Sequence, residues 1–293
     1  MQLRVFGRTG MQLSVLGFGC GAVGGFMVRG DPADQERTVA RAVASGVNYF
    51  DTAVQYGNGE SEKNLGRILQ RLKPANVAVG TKVRLPPDEF GRIAEAVTTS
   101  IEGSLARLRQ QGKTRFLGLT AIGDTAALHQ VIDARVFDSA QVAYNMLNPS
   151  AAAGLPTNYP AHDYGRLFDH TRAAGVGVVG IRVLAGGALS GSAVRHAIAG
   201  PPPEPIGSAL SYDADVVRAR RLMPLVKEGF AASLTEAATR FAVSHPAMGT
   251  ILVGMATPQQ FEDALAAVQK GPLPPAALGR LTALQQAFAG ERR

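Results

Sequence analysis

The sequence predicts an α/β protein of one domain built on a parallel sheet. Short β-branched or apolar runs at 47–50, 77–81, 116–119, 140–143, 176–183 and 249–253 each stand beside a stretch with helical periodicity. Units alternating in this way imply parallel strands joined by crossover helices. With 293 residues, 46% of them hydrophobic, the chain can bury a large core, and a barrel suits that length as well as two smaller domains do. No polar linker or repeat array divides it, so a single domain over 1–293 is the economical reading.

Taken in order, residues 4–16 place Val5, Phe6, Val15 and Leu16 around Gly7-Arg8-Thr9-Gly10, the pattern of a short hairpin. A helix is expected over 34–44, opening on an acidic cap and closing before Gly46. The next is expected at Ser61-Glu62-Lys63-Asn64, with Ser61 as its cap. The apolar stretch 176–189 contains Arg182 and several glycines and is too short to cross a bilayer, so it reads as a buried strand and its loop. The run Gly200-Pro201-Pro202-Pro203-Glu204-Pro205 must be a surface loop.

Composition removes several function classes. The single cysteine, Cys20, excludes a disulfide framework and fits a reducing compartment, with cytoplasm as the default. The first residues lack the basic and apolar segments of a signal peptide. The net charge of +7 is scattered among acids and there is no tryptophan, so the charge reads as solvated surface and no nucleic-acid partner is expected. A mild positive bias would help attract an anionic, phosphate-bearing cofactor. No metal site and no membrane partner are expected, and the oligomeric state is left open.

Two motifs compete for the chemistry. Gly19, Gly21 and Gly24 in Gly17-Phe18-Gly19-Cys20-Gly21-Ala22-Val23-Gly24-Gly25 satisfy a dinucleotide fingerprint, and Asp51 stands roughly where such a fold keeps its ribose-binding acid. That fingerprint requires a helix to begin at its glycines. Here Gly24-Gly25, Gly30 and Pro32 intervene, which argues against it.

The second motif is Asp51 at a strand end, Tyr56 five residues later in a glycine-bounded loop, and Lys82 at the end of Ala78-Val79-Gly80-Thr81-Lys82. In a parallel barrel the C-terminal strand ends share one face, so adjacent strands would bring the three together. A phenol titrates near pH ~10 and can exchange a proton near neutrality only where a cation stabilises its phenolate. Lys82 could be that cation, and Asp51 the carboxylate that keeps it charged. Singly, each residue has an ordinary reading as turn, packing or solvated charge.

Phe50-Asp51-Thr52-Ala53 with Tyr56-Gly57 and Thr81-Lys82 resembles the aldo-keto reductase signature. The resemblance continues through Gly112-Lys113-Thr114-Arg115-Phe116-Leu117-Gly118-Leu119-Thr120, Gln141-Val142-Ala143-Tyr144-Asn145, Val183-Leu184-Ala185-Gly186-Gly187-Ala188-Leu189 and Ile251-Leu252-Val253-Gly254. It implies a TIM-type (β/α)8 barrel and an NAD(P)H-dependent oxidoreductase that reduces a small aldehyde or ketone, or oxidises a hydroxyl or aldose. The implied catalytic residues are Asp51, Tyr56 and Lys82, with Tyr56 as proton donor or acceptor. Cofactor contacts fall on Gly21, Thr120, Gln141, Leu184, Gly187, Gly254, Thr257 and Gln260. Of these, Thr120 and Gln141 match the nicotinamide carboxamide, Leu184 to Gly187 the diphosphate, and 254–263, opening a helix, the adenosine phosphate. Gln141 has an alternative reading as a strand amide satisfied by backbone.

Two departures modify the expectation. Gln260 replaces the arginine that the family commonly places on the 2′-phosphate, so NADP(H) is favoured over NAD(H) by the resemblance but not by charge. The second is a missing βα unit between Leu105 and Lys113. Ser104-Leu105-Ala106-Arg107-Leu108 looks like the end of the third helix and runs straight into Arg109-Gln110-Gln111-Gly112-Lys113, which looks like the end of the fourth. The family's catalytic-site histidine leaves with that unit, and His129, His162, His170, His196 and His245 all read as structural or solvated. The barrel is therefore expected to be incomplete, with a distorted or open wall. The alternative function is a catalytically impaired nicotinamide-cofactor-binding sensor or interaction protein. Residues 17–25 and Asn148-Pro149-Ser150 resemble the aldose-dehydrogenase branch, which points to a sugar-like substrate.

Overall fold

The computed structural model describes residues 1–82, 115–206, 208 and 211–291. Leu3–Val5 (β1) and Gln12–Ser14 (β2) form the expected antiparallel hairpin around a 3-10 turn at Gly7–Thr9. Its Phe6 and Leu13 pack with Tyr49 and Val179 in a small core separate from the main one. Arg4 ties the hairpin down by donating from Nη2 to the Val243 carbonyl (2.8 Å) and from Nη1 to the Met248 carbonyl (2.8 Å).

The chain then alternates strand and helix. Leu16–Gly19 (β3) is followed by Phe26–Arg29 (α1) and Pro32–Ala44 (α2), and Tyr49–Asp51 (β4) by Glu60–Leu72 (α3). Ala78–Gly80 (β5) is the last strand before the undescribed stretch. Beyond it come Gly118–Ala121 (β6), Thr125–Asp133 (α4), Ser139–Ala143 (β7), Leu167–Ala174 (α5) and Gly177–Ile181 (β8). Tyr212–Arg220 (α6), Pro224–Lys227 (α7), Leu234–Ser244 (α8), Met248–Gly254 (β9), Pro258–Gln269 (α9) and Pro275–Gln286 (α10) complete the order.

All sheet pairings among β3 to β9 are parallel, in the order β5-β4-β3-β9-β8-β7-β6. This is an incomplete (β/α)8 barrel: among the described residues β5 and β6 are the two edges of the sheet. Val79 on β5 and Ile122 just after β6 stand 49% and 47% exposed at these edges. The predicted junction between Leu105 and Lys113 itself lies outside the described residues.

Two local expectations are corrected. The glycine-rich segment carries the interior strand β3, because a strand squeezed between β4 and β9 needs side chains that take no room. A Cβ on Gly17 would stand 3.0 Å from atoms of Leu252, Thr250 and Tyr49, and one on Gly19 2.9 Å from the Val253 carbonyl oxygen. The helix starts also lie earlier than expected. Asp31 caps α2, accepting from the Ala33 and Asp34 amides. Gly59, in the left-handed region, precedes α3, so Ser61 is inside the helix and buried. Its hydroxyl bonds the Cys20 carbonyl and the Thr52 hydroxyl, both at 2.9 Å, tying α3 to the ends of β3 and β4.

Candidate active site

The site grows from the strand ends. Asp51 closes β4 and is 4% exposed. Period-two alternation puts Tyr49 on the same side of the strand and turns Phe50, fully buried, towards the helices. Lys82 follows β5 by two residues and reaches across the register that pairs Asp51 with Gly80. Its Nζ donates to Asp51 Oδ1 in a close ion pair and to the Thr52 carbonyl at 3.1 Å. On the other oxygen, Gln141 Nε2 donates to Asp51 Oδ2 at 2.5 Å and the Tyr49 hydroxyl at 3.4 Å.

Tyr56, half-buried in the loop before α3, presents its ring face to the ammonium, with Lys82 Nζ 4.9 Å from the centroid. Burial pulls the Lys82 ammonium down, but the Asp51 carboxylate, with Tyr56 beside it, outweighs that and leaves the group above its ordinary value. Burial pushes the Asp51 carboxyl up, against the pull of Lys82, Gln141 and Tyr49. Burial beside Asp51 also raises the Tyr49 phenol and the Cys20 thiol, so neither is a ready acid.

The remaining expected residues lie around the same end of the sheet. Gly21 follows β3, and a Cβ there would stand 3.9 Å from Tyr56 Cζ. Thr120 is exposed on the edge strand β6, paired with Gln141 on β7. Gln141 is satisfied by the Asp51 carboxylate rather than by backbone. Leu184 leads into a 3-10 turn at Ala185–Ser190, and Gly187 within it has φ +109°. Gly254 ends β9 with nothing within 4 Å of its Cβ position.

Thr257 caps α9 by accepting from the Gln260 amide at 3.3 Å, while Gln260 Oε1 accepts from the Ala256 amide at 2.6 Å. Gln260 is thus half of a capping arrangement as well as an exposed residue at a helix N-terminus. The described residues hold no cluster of three or more metal-ligating side chains, and no described helix is long and apolar enough to cross a membrane.

The sequence profile of the Aldo/keto reductase family matches residues 15–111 and 103–286, two pieces that overlap over 103–111. The chain belongs to the aldo/keto reductase family. It is an NAD(P)-dependent oxidoreductase. Relatives include an L-galactose dehydrogenase from Arabidopsis thaliana, 27% identical over 92% of this chain and 88% of the relative. A pyridoxal 4-dehydrogenase from Microbacterium luteolum is 39% identical over 27% of this chain and 23% of its own. Among solved structures, a holo-form aldo-keto reductase from Bacillus halodurans superposes with a TM-score of 0.67 at 21% identity, over 99% of this chain and 98% of that one, a likeness of fold.

Tyr49 and Ser61 are contributors that motif reasoning did not assign. The signal for Tyr49 was present in its spacing, two residues before Asp51 on one strand. Ser61 gave a misleading signal, because a serine before an acidic turn is the usual mark of a cap.

Proposed function

We propose that this enzyme reduces a small aldehyde or ketone, or runs the reverse oxidation of a hydroxyl or sugar hemiacetal, with Tyr56 exchanging the proton. The observation that carries the reading is the Lys82 ammonium, seated on buried Asp51 and facing the Tyr56 ring. Asp51 keeps Lys82 charged, and Lys82 favours the phenolate that forms when Tyr56 gives up its proton to the substrate oxygen. Gln141 and Tyr49 hold the carboxylate in place for that task.

A nicotinamide cofactor fits the residues present. Gly254 leaves open space beside the strand ends, and α9 points its N-terminus to the same face, where phosphate is favoured. Gly21, Thr120, Leu184, Gly187, Gly254, Thr257 and Gln260 would hold it, with Gln141 shared between the cofactor and Asp51. When bound it supplies or accepts the hydride. The family habit favours NADP(H), although Gln260 brings no charge to a 2′-phosphate. The L-galactose dehydrogenase relative supports a sugar-like substrate, and a buried, unpaired Cys20 suits a reducing compartment such as the cytoplasm.

The test is a panel of aldehydes and aldoses assayed with NADPH and with NADH, on the wild type and on Tyr56→Phe. Loss of turnover by about a hundredfold or more in the variant, with cofactor binding retained, is expected for a general acid. Activity undiminished in Tyr56→Phe would defeat the assignment.

A further inference from the structure

Arg182 follows the last residue of β8, on the face where Asp51, Tyr56 and Lys82 gather. Its backbone is left-handed at φ +56°, a conformation rare for a residue with a side chain and concentrated at functional sites. The side chain is half-buried and folds towards the diglycine turn, with Nη1 3.3 Å from where a Cβ on Gly186 would stand. Among the described residues its guanidinium makes neither an ion pair nor a hydrogen bond.

Glu204 and Asp215 line the same small cavity as Arg182, but Asp215 is ion-paired with Arg218 and Glu204 forms no ion pair with Arg182. Asp51, the carboxylate of this face, is engaged by Lys82, so that pair is neutral. Among the described residues no carboxylate stands within ion-pair distance of the Arg182 guanidinium. Burial lowers the guanidinium from its ordinary value, and the phenols of Tyr56 and Tyr164 act in the other direction. The nearby arginines differ: Arg29 and Arg195 spend their donors on backbone carbonyls of Ala22, Ile198, Val23, Gly186 and Gly200. A partly desolvated guanidinium with unused forked donors is suited to a planar oxyanion.

We infer that Arg182 anchors a carboxylate on the substrate, so that the enzyme acts on carbonyl or sugar compounds that carry an acid group. The inference rests on the oxidoreductase reading, since the anchored molecule is the one whose oxygen meets Tyr56. The bond is non-covalent: two guanidinium N–H groups donate to the two carboxylate oxygens, replacing the water each partner gives up.

The experiment compares 4-formylbenzoate with its neutral methyl ester. Wild type should prefer the acid in kcat/KM by roughly ten- to a hundredfold, the worth of a charge-assisted hydrogen bond. Arg182→Gln should abolish that preference while changing the ester's kcat/KM little, and Arg182→Lys should keep part of it. A wild type indifferent to the charge, or a variant that loses acid and ester in parallel, overturns the inference. Weakened NADPH binding in Arg182→Gln with the preference intact would assign Arg182 to the cofactor's diphosphate and also overturn it. If neither compound is turned over while the wider aldehyde and aldose panel is, 4-formylbenzoate is not a substrate and the anchor is read by binding; if nothing on the panel is turned over either, it is the proposed reaction that fails. Calorimetric titration with terephthalate against its dimethyl ester then decides on Arg182 alone: tighter binding of the diacid, lost in Arg182→Gln, sustains the anchor, and its absence overturns it.

Discussion

Asp51 accepts from three side chains while almost fully buried, and that crowding explains why Lys82 stays charged beside it. Removing the carboxylate in Asp51→Asn strands a half-buried cation. The expected cost is about 2 kcal/mol, below the value for a fully buried pair because Lys82 keeps some contact with solvent. Urea unfolding measures it. The pH dependence has a defined sign. The Lys82 value is raised above 10.5 on folding, so its contribution is complete below that pH and is lost as the pH climbs through the higher folded value. The stability advantage of wild type over Lys82→Met should therefore narrow above pH 10.5. At this scale Asp51, Tyr56 and Lys82 were legible because strand ends in a parallel barrel converge. The Gln141 amide on Asp51 was not legible, since sequence carries no information about which of two inward-facing partners an amide will choose. Arg182 looked like a bar to membrane insertion and nothing more, because its left-handed backbone and lack of a counter-ion exist only in three dimensions.

Strand and helix ends decide how the site is held. β3 was hidden because two of its residues, Gly17 and Gly19, are poor strand formers taken alone, while packing between β4 and β9 demands them. Gly19→Ala would press a methyl group against the Val253 carbonyl, a backbone atom that cannot turn away. We expect a loss of about 2 kcal/mol in urea unfolding, as for other overpacked positions. The other strands were visible as apolar runs, and their observed bounds differ from the expected ones by a few residues. At α9, Thr257→Ala removes the cap and should cost about 1 kcal/mol. Gln260→Arg tests a different property of the same turn: it adds a cation for a 2′-phosphate and should shift the NADPH/NADH affinity ratio towards NADPH, by fluorescence titration. An unchanged ratio would place that phosphate elsewhere.

For the whole molecule, the sheet order and the two-piece family match tell one story. Among the described residues the strands run β5-β4-β3-β9-β8-β7-β6, with β5 and β6 as edges where the fourth strand of a barrel belongs, and the family profile breaks and overlaps over 103–111. Peptide sequencing by mass spectrometry of the protein from its native source should then find Leu105 to Lys113 in one continuous peptide, whereas about 30 further residues between them, one βα unit of a ~250-residue eightfold barrel, would restore the unit and its histidine. The broader claim is that an open barrel still brings Asp51, Tyr56 and Lys82 together as a working oxidoreductase site. Product analysis by mass spectrometry, after reduction of an aldehyde with nicotinamide cofactor deuterated at the dihydropyridine carbon, tests this most directly. The account predicts deuterium on the new alcohol carbon with wild type and its near-absence with Tyr56→Phe. Unlabelled alcohol from the wild type, or equal labelling by both proteins, would contradict it.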